Sequence, residues 1–158
     1  MQEITLWYPK ELRKLWSTGK LHEAWFWEYA GLFDKLDLEN AKSQYAMQHG
    51  GFHFGEWFTA IHFFTCGYRV LTEKYALRSR KDKWPILVEF IGKKGLAFLT
   101  DELPKAPDLF IYDPEHKLFF FVEVKLEGDR ITAEQERSFH KLEKELGCQV
   151  LIAKLKAR

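Results

Sequence analysis

The sequence predicts an α/β or α+β domain, and three observations predict it. From Phe54 onward the hydrophobic patterns run helix, several strands, helix, strand. The 158-residue chain is 46% apolar and 16% aromatic, which is enough to bury a substantial core. Two short apolar runs, Leu109-Phe-Ile-Tyr112 and Phe119-Phe-Phe-Val122, flank a polar turn and read as paired strands.

The elements follow in order. Residues from about Pro9 to Gln48 read as successive helices: Glu11 to Trp16 has helical spacing, Leu21 to Leu36 is apolar on more than one face, and Asp37 onward continues it or forms a third helix. This segment is expected to be a helical extension, residues 1–50, ahead of a domain spanning 51–158. No chemistry is visible in it; it would cover the sheet or form a dimer surface. Gly50-Gly51 breaks the chain. A helix from near Phe54 to Cys66 is stopped by Gly67. Tyr68 to Leu77 reads as a strand, Arg78 to Lys83 as a basic loop, and Ile86–Ile91 and Leu96–Leu99 as strands around Gly92-Lys-Lys-Gly95. Thr132-Ala-Glu-Gln135 has the form of a capping box, opening a helix to Leu146 that Gly147 ends; Gln149 to Leu155 is the last strand.

Composition bounds the function. Net charge is +1, so a phosphate-binding surface must be local. Residues 1–68 carry 6 Lys/Arg and 8 Asp/Glu, leaving the remainder mildly basic. Cys66 and Cys148 lack metal-type spacing and are expected to be buried free thiols. With no signal peptide and no run of about 18 apolar residues, the cytoplasm is the default and no membrane partner is expected. The six histidines show no zinc-site spacing, and there is no glycine-rich phosphate loop.

The informative stretch is Pro107-Asp108, then Glu123-Val124-Lys125. Residues two apart on a strand share a face, so Glu123 and Lys125 do. A hairpin can bring Asp108 beside them. Two carboxylates together suit a hard divalent cation, and a lysine beside that cation can hold a water or an oxyanion. The competing reading is a structural Glu123–Lys125 ion pair. A carboxylate emerging from a buried apolar strand needs one partner or the other. Glu56 shares a helix face with Ala60 and Phe63, and is either an inward-facing ligand or an acid favourable to the helix dipole. Gln135 has its own plain role, closing the capping box onto Thr132. Arg78, Arg80, Lys81, Lys83, Lys93 and Lys94 either track phosphates or are solvated.

Taken together, Pro107-Asp-Leu-Phe-Ile-Tyr, Phe-Phe-Val-Glu-Val-Lys125, Gly128-Asp-Arg-Ile-Thr-Ala-Glu-Gln135 and Leu146-Gly-Cys-Gln-Val150 resemble the VRR-NUC (virus-type replication-repair nuclease) group of the PD-(D/E)XK superfamily. The resemblance implies a restriction-endonuclease-like core, a mixed central sheet flanked by helices. It implies Mg²⁺ or Mn²⁺ on Asp108, Glu123 and the Val124 carbonyl, with Glu56 as the acid of the first core helix. Lys125 would orient the attacking water, Gln135 would support the site, and Arg130 would join the basic loop in contacting nucleic acid. The expected function is a DNA endonuclease acting on branched or junction DNA in replication, recombination or repair, with a homodimer through the N-terminal helices. A defence nuclease and a catalytically silent binding subunit are the alternatives. Leu126-Glu127 departs from the glycine or proline turn usual after the lysine, and Ala106 from the usual glycine. Glu127 would add an acid near the site.

Overall fold

The computed structural model describes residues 1–43 and 53–158. Gly50-Gly51, His49, the far end of the helical segment after Asp37 and the boundary after residue 50 lie outside the described residues. Five strands form one mixed sheet in the order β1-β5-β4-β3-β2. They are β1 (Gln2–Tyr8), β2 (Arg69–Leu71), β3 (Leu109–Asp113), β4 (Leu118–Lys125) and β5 (Val150–Ala157). β1 and β4 both run parallel to β5, while β3 is antiparallel to β4 and β2 to β3.

Helices cover both faces. On one lie α1 (Lys10–Ser17), α2 (Lys20–Glu28), α3 (Lys35–Ala41) and α4 (Phe54–Thr65). They pack an aromatic cluster, including Trp16, Trp25, Phe33, Phe54 and Trp57, onto Leu109, Ile111, Val122, Ala153 and Leu155. On the other lie α5 (Trp84–Ala97) and α6 (Ala133–Leu146), whose Leu87, Phe139 and Leu142 meet Phe110, Phe121, Val150 and Ile152. The alternation of Leu109, Phe110 and Ile111 between the two clusters is the period-two pattern of a strand buried on both sides. The expected mixed α/β architecture is present.

Four local expectations are corrected. Residues 2–8 form a strand, so the N-terminal segment is not only helical: β1 extends the sheet through parallel pairing with β5. Its pattern, Ile4, Leu6 and Tyr8 inward and Trp7 outward, is legible only once β5 is there to pair with it. Residues 84–97 are helical rather than two strands. An apolar run rich in branched residues is ambiguous by itself, but Pro85 sits in the first helical turn, where its missing N–H costs nothing. Gly92 is a kink with φ 72°, not a hairpin turn. The strand expected over residues 68–77 shrinks to Arg69–Leu71, because Glu73 and Lys74 turn into the left-handed region. Cys66 is exposed and Cys148 half-buried; both are free, but neither is a fully buried thiol. Among the described residues, no helix is long and apolar enough to cross a membrane.

Candidate nuclease active site

The site lies at one end of the sheet. β3 begins where antiparallel β4 ends, with Leu109 opposite Val122. Asp108 therefore stands opposite Glu123, and two reciprocal hydrogen bonds lock them. The Val124 amide donates to Asp108 Oδ2 at 2.8 Å, and the Asp108 amide donates to Glu123 Oε1 at 3.2 Å. Tyr75, buried behind the turn, donates its hydroxyl to the Pro107 carbonyl at 2.8 Å and fixes the approach to β3.

Glu123 is buried. Its second oxygen accepts from Gln135 Nε2 at 3.0 Å and lies 3.2 Å from Lys125 Nζ. Lys125 also donates to Gln135 Oε1 at 3.1 Å. That same Oε1 accepts from the Thr132 amide at 3.1 Å, while Thr132 Oγ1 accepts from the Gln135 amide at 3.0 Å. Both roles read for Gln135, capping and site support, are thus filled: its carbonyl caps α6 and its amino group holds Glu123.

Glu56 reaches the site from α4. The helix start can lie close to β4 because residue 55 is glycine: a Cβ there would stand 3.0 Å from Val124 Cγ1. A cleft of about 490 Å³, with Lys74, Tyr75, Leu99 and Leu103 in its walls, ends on Glu56 and Asp108. The carboxylates feel one another. Burial first, and then the charges of Glu56 and Glu123, push the Asp108 pKa well above the ordinary carboxylate range. Glu56 is also raised, by burial and by Glu73 and Glu123, against the opposing pull of His53.

Glu73 and His53 were not anticipated. Glu73 is buried, accepts from Trp57 Nε1 at 2.7 Å and lies 3.0 Å from His53 Nδ1. Burial pulls the His53 pKa down, but Glu56 and Glu73 outweigh it and lift it to about 9. One ligand atom each from His53, Glu56 and Glu73 fall within 4.8 Å of one another. Spacing could not have revealed this group, because α4 and the return through β2 assemble it.

The basic residues divide. Arg80 and Lys83 are buried and committed inward: Arg80 meets Asp34 and Asp37 at 2.7 Å each, and Lys83 meets Asp37 at 2.7 Å and the Thr72 carbonyl at 2.8 Å. Burial opposes the Arg80 charge, but the Asp82, Asp37 and Asp34 carboxylates hold it. These two cations tie α3 to the chain after β2 rather than lining an open surface, which corrects their expected role. Arg78, Lys81 and Arg130 are exposed. Glu127 does not point at the metal-type carboxylates; it accepts the Tyr8 hydroxyl at 2.6 Å.

Among the described residues, the clustered carboxylates of Glu56, Glu73, Asp108 and Glu123 are paired with two cations, Lys125 and His53, and so are under-compensated. Their hard oxygen donors fit a divalent cation. A mixed sheet that presents Asp108, Glu123 and Lys125 at one end is the arrangement of a PD-(D/E)XK nuclease. The VRR-NUC domain matches residues 78–157, half of the chain, and this protein belongs to the VRR-NUC family. Asp108, Glu123, Lys125 and Gln135 lie inside the matched region, whereas Glu56 precedes it. No curated protein matches the chain. Among solved structures it is similar to paFAN1 bound to 2nt 5′ flap DNA with a gap, with a TM-score of 0.46 and 15% identity over 100% of this chain and 38% of that one.

Proposed function

We propose that this protein is a divalent-metal-dependent DNA endonuclease, selective for branched or junction DNA in replication, recombination or repair. The observation that carries this reading is the Asp108–Glu123–Lys125–Gln135 constellation, in which Glu123, Lys125 and Gln135 hold one another and the Val124 amide holds Asp108. Asp108 and Glu123, with Glu56 and the Val124 carbonyl, would hold Mg²⁺ or Mn²⁺. The bound cation would lower the pKa of a water and neutralise charge on the phosphate.

The chain's own residues do the rest. Glu123 is kept in place by two donors on one oxygen and a backbone amide on the other. Lys125, steered by the Gln135 carbonyl, presents an ammonium where an attacking water or a phosphoryl oxygen would sit. Burial of the carboxylates keeps bulk water from diluting their charge. The flap DNA in the paFAN1 structure suggests including a flap among the substrates tested. Arg78, Lys81 and Arg130 are proposed nucleic-acid contacts. Trp27, 73% exposed on α2, is proposed to lie in a homodimer surface, which light scattering would test.

The test is cleavage of linear duplex, single strand, flap and four-way junction with Mg²⁺ or Mn²⁺, beside Asp108→Ala. Metal-dependent cutting lost in the variant is expected. A folded protein that cuts none of them would overturn the reading.

A further inference from the structure

We infer that the outer face of α1, through Lys10 and Lys14 with Arg13 between them, binds the phosphate backbone of the duplex arm beside the cleavage site. This inference rests on the nuclease reading and extends it to a segment in which the sequence showed no chemistry.

The topology brings α1 to the site. β1, β5 and β4 run parallel, so Tyr8, Ala157 and Lys125 all lie toward one end of the sheet. Asp108 is at that same end, because β3 is antiparallel to β4. α1 leaves the end of β1 directly after Pro9. On it, Lys10, Arg13, Lys14 and Ser17 fall at helical spacing on one face, while Trp16 is buried in the core. Together with Tyr8, Glu127 and Ala157 they line a groove of about 410 Å³.

The groove is net positive, and its one acid is occupied. Glu127 accepts from Tyr8 at 2.6 Å, and Arg13 Nη1 reaches the same hydroxyl at 3.4 Å. Lys10 and Lys14 are exposed. Glu127 follows two residues after Lys125, the last residue of β4, so the groove starts beside the sheet end that carries Lys125. Flexible lysine ammonium groups beside a planar Arg suit phosphates and carry no base readout.

Lys93 and Lys94 supply an internal control. Glu89, on the same element ahead of the Gly92 kink, lies 3.7 Å from Lys117, in the β3–β4 turn at the far end of the sheet. Nearby Gly95 packs against Leu146, the end of α6 opposite Gln135. This exposed basic pair therefore lies toward the end of the sheet remote from the site.

The experiment is fluorescence polarisation of a labelled blunt DNA duplex with full-length protein carrying Asp108→Asn to prevent cutting. Adding Lys10→Glu and Lys14→Glu is expected to weaken binding by about tenfold or more, and to flatten the salt dependence by roughly 0.9 log units per lost contact. Lys93→Glu with Lys94→Glu is expected to leave both unchanged. Both pairs are exposed, so unchanged circular dichroism will show that the fold survives; Lys10→Gln with Lys14→Gln gives a milder version of the same loss. Binding by the α1 variant equal to that of its parent, or equal losses in both pairs, overturns the inference while the nuclease reading stands. A parent that does not bind duplex also overturns the inference, while the nuclease reading is decided separately by the cleavage panel.

Discussion

Gln135 donates from its side-chain amide to Glu123 Oε2 at 3.0 Å while its carbonyl oxygen closes the capping box of α6. The helix start and the carboxylate are therefore positioned by one side chain. The two roles can be separated. Gln135→Glu keeps an acceptor for the Thr132 amide but faces Glu123 with a like charge. We expect a roughly 10–100-fold loss of cleavage, as for other groups that orient a metal ligand, with little change in Tm. Thr132→Ala should do the reverse, costing about 1 kcal/mol of stability with cleavage largely kept. Cleavage rates and thermal melts on both variants check this.

The clustered carboxylates make the metal-free protein sensitive to pH. Asp108, Glu56 and His53 all have raised pKa values in the folded state. A raised group binds more protons folded than unfolded, so its stabilisation is present at low pH and lost as pH rises through the folded value. For His53 that window runs from 6.5 to about 9, with an upper bound of roughly 3 kcal/mol. Melts in EDTA are expected to show Tm falling across this window, and His53→Gln is expected to flatten the fall. Adding Mg²⁺ or Mn²⁺ should raise Tm most at the alkaline end, where no proton competes for the carboxylates.

Asp37 holds two buried cations and also serves the α3 capping box through the Asp34 amide at 2.9 Å. Asp37→Ala strands Arg80 and Lys83 without their shared partner. We expect a loss of about 3–5 kcal/mol, read as a large drop in the denaturation midpoint. Lys81→Ala, at an exposed neighbour, should be close to neutral.

The thiols should differ in reactivity. Cys66 is exposed, whereas burial and the nearby Glu143 charge push the Cys148 pKa up to about 12. Alkylation of the native protein at neutral pH is expected to label Cys66 first, with Cys148 modified only on unfolding. Mass spectrometry of the labelled peptides decides it.

Sequence by itself determined the hairpin, the capped helix after it and which polar side chains they bring together as the candidate site. Asp108, Glu123, Lys125 and Gln135 span fewer than thirty residues, and strand and helix periods fix which way such near neighbours face. Only the tertiary structure decided the rest. β1 became a strand because β5 offered a parallel edge 149 residues away, and residues 84–97 became a helix because the second face of the sheet had to be covered. Arg80 and Lys83 looked like a phosphate-tracking loop until Asp34 and Asp37 closed over them, and Glu73 and His53 joined Glu56 only through the α4–β2 return. Local pattern reports backbone propensity and face. Which charges are buried together depends on contacts between segments far apart in the chain, and no periodicity encodes those.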